Sequence, residues 1–170
     1  MSLGDRSLIE KTRPDLRSLL EQKKIRRSKA TIDLVVKELD IATGDLEAAQ
    51  RSLKNGDYKW STIQAYYSMF HAARALLYRM SYREQNQHGL LAALHQLYER
   101  EMVGKMLQDF SEAMTLCERA NDSLTIKEDY ARTILENSAE FLEEAARILA
   151  APREWFERPA PQRRPKTAKR

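Results

Sequence analysis

The chain has 170 residues, of which 42% are hydrophobic and 32% are charged, and its formal net charge is +4. This length indicates one domain with enough apolar material for a sizeable core. Scarce glycine and proline favour an all-helical protein, and a single cysteine, Cys117, excludes an internal disulfide and suits a reducing cytoplasm. No apolar run approaches the ~20 residues that span a membrane, and no signal-peptide pattern is present. We therefore expect a cytoplasmic protein that does not contact a membrane.

Charge is distributed unevenly along the chain. Residues 1–30 contain nine Lys/Arg and four Asp/Glu, residues 31–150 thirteen and nineteen, and residues 151–170 seven and two. This pattern predicts a basic N-terminal segment with a short helix (1–29), a helical bundle (30–150) and a basic, Pro-rich, disordered tail (151–170). Basic ends can attract phosphate backbones or an acidic partner, or can simply keep the protein in solution.

Hydrophobic periodicity predicts the first helices in chain order. A short helix is expected within Arg13–Arg27. A long one follows, whose apolar stripe is spaced by three and four residues from Ile32 to Leu53 and continues through Gly44. The Asn-Gly-Asp sequence at 55–57 then predicts a turn.

The third helix is expected from about Lys59 to Met80. Its predicted buried face consists of Trp60, Ile63, Tyr67, Phe70, Ala73 and Leu77. A polar segment, residues 81–87, leads to a fourth helix that begins near His88. The apolar pattern of residues 103–117 forms either a fifth helix or a continuation of the fourth.

The last helix is predicted to begin with a capping box, in which Thr125 and Glu128 satisfy each other's backbone donors. Its apolar stripe consists of Ala131, Ile134, Ser138, Phe141, Ala145 and Ile148. Long amphipathic helices with short connections, and no strand-like alternation, predict an all-α antiparallel up-and-down bundle of four to five main helices.

Several kinds of site have no pattern in the sequence. It contains no Gly-rich phosphate loop, no Gly-x-Ser-x-Gly elbow and no Cys-x-x-Cys, so neither a cofactor nor a metal is indicated. His88 and His95 could share a helix face, but two histidines without a third ligand are a weak metal signal. Cys117 lies in an apolar stripe, which favours packing over a nucleophilic role.

The stretch AYYSMFHAARALL at residues 65–77, followed by Arg83 and by the pair His88-Gly89, resembles the core helix of HEPN-domain proteins. The name denotes a higher eukaryote and prokaryote nucleotide-binding family, and the resemblance, to its small stand-alone prokaryotic, toxin-like branch, covers roughly residues 30–150. It implies an antiparallel helical bundle that usually dimerises. Many members are ribonucleases with an Arg-x4–6-His motif at the dimer groove, and many act as toxins beside a minimal nucleotidyltransferase that neutralises them. Other members lack the motif and serve as binding modules.

Under this resemblance, Arg83 and His88 match the motif arginine and histidine. Glu84 stands where a small polar residue is common, and it could pair with Arg83 and weaken its attraction for phosphate. The chemistry supports the pair, because histidine exchanges protons near neutral pH and arginine binds phosphate oxygens bidentately. One motif histidine per chain supplies one proton-transfer group, so a dimer that faces two copies would be chemically useful.

Four further residues are candidates for the groove: His71 and Arg74 on the preceding helix, and Tyr82 and Asn86 beside the motif. Alternatively, His71 hydrogen-bonds within the bundle while Arg74 pairs with a buried carboxylate such as Glu140. Tyr82 is also a conceivable target for nucleotidylation by a partner.

The leading hypothesis is a homodimeric, metal-independent endoribonuclease of toxin type, with His88 as general acid–base and Arg83 as phosphate clamp. The alternative is a non-catalytic module that binds a nucleotide or a nucleotidyltransferase partner.

Overall fold

The structure, a computed structural model, describes residues 15–102, 104–121 and 125–151. This part of the chain contains six α-helices and one two-stranded sheet. In chain order the elements are α1 (Leu16–Glu21), β1 (Ile25–Arg27), α2 (Ile32–Lys54), α3 (Tyr58–Arg79), β2 (Tyr82–Glu84), α4 (Gln87–Tyr98), α5 (Gly104–Asn121) and α6 (Glu128–Ala150). The predicted all-α helical bundle is confirmed.

Helix α3 is the centre of the bundle and packs against α2, α4, α5 and α6. Because these helices cover it on several sides, it buries residues along its whole length, among them Tyr66 and Met69. Ser138 of α6 donates a buried hydrogen bond of 2.8 Å to the carbonyl oxygen of Ala65. That bond explains why a serine occupies the apolar stripe of α6.

The stripe predicted for α6 is confirmed, since all six of its residues are buried. The capping box is wrong. The helix begins three residues later than predicted, its N-cap is Lys127, and no side chain caps it. Glu128 and Asp129 in the first turn instead place negative charge at the positive end of the helix dipole.

Two aromatic residues assigned to the core from their spacing lie on the surface. Trp60 is 58% exposed and Tyr67 is 39% exposed. They stand seven residues apart and so share one side of α3, and their exposure identifies the side of this helix that the described bundle leaves uncovered. On α2 the helix continues through Gly44 as predicted, but its first residue, Ile32, is 64% exposed.

The sheet was not predicted. Strands β1 and β2 pair antiparallel with the register Ile25↔Glu84, Arg26↔Arg83 and Arg27↔Tyr82. Three-residue strands are too short for an alternating pattern to be distinguished in the sequence. The pairing nevertheless attaches the N-terminal segment to the connection that follows α3.

Helices α4 and α5 are separate, so the apolar pattern from residue 104 to residue 117 belongs to a fifth helix and not to a continuation of the fourth. No helix in the described ranges is long and apolar enough to cross a membrane. The predicted disordered tail lies outside the described residues, apart from Ala151.

Candidate functional site

The predicted motif lies just beyond the C-terminal end of α3. Arg83 is the middle residue of β2, His88 is the second residue of α4, and both are exposed. Within the described residues, neither side chain forms a hydrogen bond or an ion pair. Both groups of the motif are therefore accessible to a ligand.

Asn86 has a structural role at the start of α4. Its backbone is extended, and its side-chain oxygen accepts a 2.7 Å hydrogen bond from the backbone N–H of Gly89. This is the usual chemistry of a helix N-cap. Asn86, predicted as a groove residue, thus fixes the turn on which His88 is presented.

Gly89 allows β1 to approach the start of α4. A Cβ atom at this position would lie 2.9 Å from the carbonyl carbon of Lys24 and closer still to its carbonyl oxygen. The same Lys24 oxygen accepts a 2.9 Å hydrogen bond from the backbone N–H of Gln85. The residue after His88 is therefore a glycine because another segment of backbone occupies the space of a side chain.

The sheet brings a second arginine to the motif. Arg26 on β1 is the direct cross-strand partner of Arg83, and both are exposed. Opposite residues of an antiparallel pair project from the same face, so the two side chains leave the sheet next to each other. Sequence reasoning missed Arg26, and the only signal was the basic run of residues 23–29, which contains five Lys/Arg and no acidic residue.

Tyr82 lies at the end of the same ladder, where its cross-strand partner is Arg27. The Arg27 guanidinium carbon is 5.6 Å from the centre of the Tyr82 ring, within the range of a cation–π contact. The ring is half-buried, packed against the core. Its accessibility to a modifying partner remains a prediction.

A second arginine–histidine pair lies on α3 and is bound by carboxylates. His71 Nδ1 is 2.7 Å from Glu38 Oε2, and His71 Nε2 is 3.8 Å from Asp45 Oδ2. Both carboxylates belong to α2, and Glu38 is buried. His71 therefore hydrogen-bonds within the bundle, which was the predicted alternative to a place in the groove.

Arg74 contacts two buried carboxylates. Its Nη2 is 2.6 Å from Glu84 Oε1, its Nε donates to the same oxygen at 2.8 Å, and its Nη1 is 3.6 Å from Glu38 Oε1. Its guanidinium also lies 4.5 Å from the centre of the Phe70 ring. Burial opposes the positive charge, but the hydrogen bond and charge of Glu84, with Glu38, raise the pKa of Arg74 above its ordinary value. The predicted partner, Glu140, is wrong, because it is exposed on α6 and Arg74 is engaged by Glu38 and Glu84.

The same contact revises the role of Glu84. Strand alternation directs its side chain inward, opposite Ile25, while Arg83 points outward. The expectation that Glu84 pairs with Arg83 and weakens its attraction for phosphate is therefore wrong. Glu84 is occupied by Arg74, and Arg83 keeps its full charge for another partner.

Tyr78 is a buried residue of α3 whose phenol is influenced by an arginine of each pair. Burial raises the pKa of its phenol, and the positive charges of Arg83 and Arg74 each offset part of that effect. Both arginines therefore act electrostatically on the same phenol of α3.

A cleft of about 660 Å³ lies at the other end of α3, beside the turn between α2 and α3 and the start of α6. A helix of 22 residues is about 33 Å long, so this cleft is remote from the motif. Two of its charged groups are paired: Glu128 accepts a hydrogen bond from Tyr58 Oη at 2.9 Å and contacts Arg132 at 2.6 Å. Within the described ranges, no group of three or more His, Cys, Asp or Glu side chains could hold a metal ion.

These features define a small all-α bundle with an exposed arginine–histidine pair after its central helix. The sequence matches the HEPN domain family over residues 35–151, so the chain belongs to that family. The crystal structure of TT1696 from Thermus thermophilus has a similar fold, with a TM-score of 0.57 and 20% identity, over 66% of this chain and 96% of that chain. Comparison with curated proteins finds no match.

Proposed function

We propose that this HEPN protein is a metal-independent endoribonuclease of toxin type, with Arg83 and His88 in its active site. The main support for the proposal is the exposure of these two side chains and their lack of partners among the described residues. Both are exposed and lack a hydrogen-bonding or ionic partner within the described residues, while the neighbouring carboxylate of Glu84 is occupied by Arg74.

Each residue has a defined task in this chemistry. Cleavage by internal transesterification requires a base for the 2′-hydroxyl, an acid for the leaving 5′-oxygen, and stabilisation of the negatively charged phosphorane. His88, at the exposed start of α4, would transfer the protons. Arg83, charged at all relevant pH values, would bind the non-bridging oxygens.

One chain supplies a single motif histidine, whereas the reaction needs both a base and an acid. We therefore propose that the active species is a homodimer, in which the motifs of two copies face one groove. A minimal nucleotidyltransferase is the proposed antitoxin partner. It would act by covering or modifying this groove, with Tyr82 as a candidate target.

The direct test is cleavage of a mixed RNA pool by purified protein in excess EDTA. Arg83→Ala and His88→Ala should each abolish cleavage while helical content, followed by circular dichroism, stays unchanged. Arg17→Ala is the matched control, because Arg17 is an exposed arginine on α1 whose ion pair is with Glu21, one turn away on the same helix. Its cleavage should equal that of the wild type.

The same test distinguishes the proposed ribonuclease from the alternative, a non-catalytic binding module. Cleavage that persists in either motif variant would contradict the assigned site. An intact RNA pool with folded wild-type dimer would contradict catalysis and favour the non-catalytic binding module. Induced expression gives the cellular counterpart: growth should stop with the wild type and continue with His88→Ala.

A further inference from the structure

We propose that Arg26 and Arg83 together form a two-arginine clamp for the phosphate backbone of RNA. The inference rests on the proposed function, since it extends the substrate contacts of that site. It assigns to the N-terminal segment a binding residue that lies outside the part of the chain matched by the HEPN family, residues 35–151.

The register of the sheet places the two arginines side by side. They are direct Cα partners in the centre of the ladder, both are exposed, and their side chains leave the sheet on the same face. Side chains in such positions have Cβ atoms about 5 Å apart. Two long arginine side chains that start from such neighbouring positions can bring their guanidinium groups to one phosphate from two sides or to two successive phosphates.

Within the described residues, Arg26 and Arg83 have no partner for their charged groups, unlike Arg74 and Arg27. Like charges directly opposite each other destabilise a strand pair. Within the described residues no carboxylate contacts either side chain, whereas Arg74 contacts Glu38 and Glu84, and Arg27 lies over the Tyr82 ring. An anionic ligand would remove this repulsion, and a polyanion supplies one phosphate per nucleotide.

The strand that carries Arg26 is firmly attached to the bundle. Ile25 is buried, and beyond the ladder the backbone N–H of Ser28 donates to the carbonyl oxygen of Ser81 at 2.8 Å. The approach of Lys24 to Gly89 fixes the same strand against the start of α4, one residue from His88. Arg26 is therefore held in position relative to the motif, which a flexible basic tail would not achieve.

RNA binding tests the clamp separately from catalysis. Anisotropy of a labelled single-stranded RNA is followed in EDTA, with His88→Ala as the parent so that the RNA stays intact. Adding Arg26→Ala or Arg83→Ala should each weaken binding by about 10-fold and reduce the slope of log K against log salt by about 0.7. Adding Arg17→Ala, the control, should change neither quantity.

The outcomes keep the two proposals distinguishable. If the wild type fails to cleave RNA but both arginine variants lose affinity and slope, catalysis is contradicted and the clamp is supported. Unchanged affinity and slope in the Arg26→Ala protein would overturn the clamp even if cleavage by the wild type is confirmed. Failure of the parent itself to bind RNA would overturn it as well.

Arg26→Glu separates binding from folding. A glutamate opposite Arg83 replaces repulsion by attraction, so the melting temperature should stay the same or rise. Binding should nevertheless fall further than in Arg26→Ala, because the substitution reverses a charge. A melting temperature that falls together with affinity would make Arg26 a structural residue and overturn the proposal.

Discussion

Two arginine–histidine pairs lie within 18 residues of each other in this sequence, yet their surroundings differ completely. His71 and Arg74, one turn apart on α3, are bound by Glu38, Asp45 and Glu84. Arg83 and His88, on β2 and α4, contact no carboxylate within the described residues. The comparison shows that the residue types of a catalytic pair are insufficient to define a site, since the neighbouring charges decide which pair is available.

Glu84 connects the two pairs and shows how they are separated. It follows Arg83 directly in the sequence, but consecutive residues of a strand point to opposite faces. Its carboxylate therefore neutralises Arg74 on the inner side while Arg83 remains uncompensated on the outer side. The alternation of side chains along β2 thus gives Arg74 a carboxylate partner and leaves Arg83 without one among the described residues.

The largest expected effect distinguishes the two histidines. His88→Ala should reduce single-turnover RNA cleavage by about 100-fold or more, since a general acid–base contributes about 10²- to 10⁴-fold. His71→Gln should retain cleavage per folded molecule and lower the free energy of unfolding by about 1 kcal/mol, through loss of the contact with Glu38. Equal loss of cleavage in both variants would place His71 in the active site.

The arginines should differ in stability. Arg74→Ala leaves the buried carboxylate of Glu84 without its positive partner and removes one of the contacts of Glu38, and breaking a buried pair costs about 3 kcal/mol or more. Arg83→Ala removes an exposed side chain and should change the free energy of unfolding by less than about 0.5 kcal/mol. Urea denaturation of both variants measures the difference. Similar unfolding midpoints would mean that the buried network contributes little to stability.

Two glycines give a third comparison. Gly89→Ala should destabilise the protein by about 2 kcal/mol, because a Cβ would overlap the backbone of Lys24, and this outweighs the gain in helix propensity of about 1 kcal/mol. Gly44→Ala is the matched control: it also lies inside a helix, and nothing lies within 4 Å of its added Cβ. That substitution should stabilise the protein. Thermal unfolding of both variants tests the close approach of β1 to α4, and a stabilising Gly89→Ala would contradict it.

The smallest expected effect concerns the pH dependence of Asp45. Burial raises the pKa of its carboxyl, and the charge of His71 offsets only part of that effect. Ionisation therefore costs more in the folded than in the unfolded state, and this cost appears as the pH rises above the ordinary value of 3.8.

Asp45→Asn should consequently raise the urea midpoint relative to the wild type at pH 7 and leave it nearly unchanged at pH 3. Asp40→Asn, which alters an exposed residue on the same helix, is the control. A lower midpoint for Asp45→Asn at pH 7 would show that attraction between Asp45 and His71 exceeds the cost of burial.

Much of the helical framework could be predicted because helix burial follows a local period. The stripe of α6 is buried at every predicted position, and α3 begins and ends within one residue of its predicted limits. The predictions of burial fail where the surroundings of a residue depend on a segment that is distant in the sequence. Trp60 and Tyr67 have the spacing of core residues, but the described bundle leaves their side of α3 uncovered. The predicted capping box failed because α6 begins at Glu128 instead of Thr125.

The candidate site also contains residues that the sequence could identify and contacts that it could not. Arg83 and His88 could be selected from the sequence because they follow a helix that resembles the core helix of HEPN proteins, and because proton transfer and phosphate binding need an imidazole and a guanidinium. The position of Arg26 opposite Arg83 depends on pairing between segments more than 50 residues apart, and the contact of Arg74 with Glu38 joins residues on two different helices. Such pairing is determined by backbone hydrogen bonds and side-chain burial that no local pattern in the chain encodes, so only the tertiary structure could reveal it.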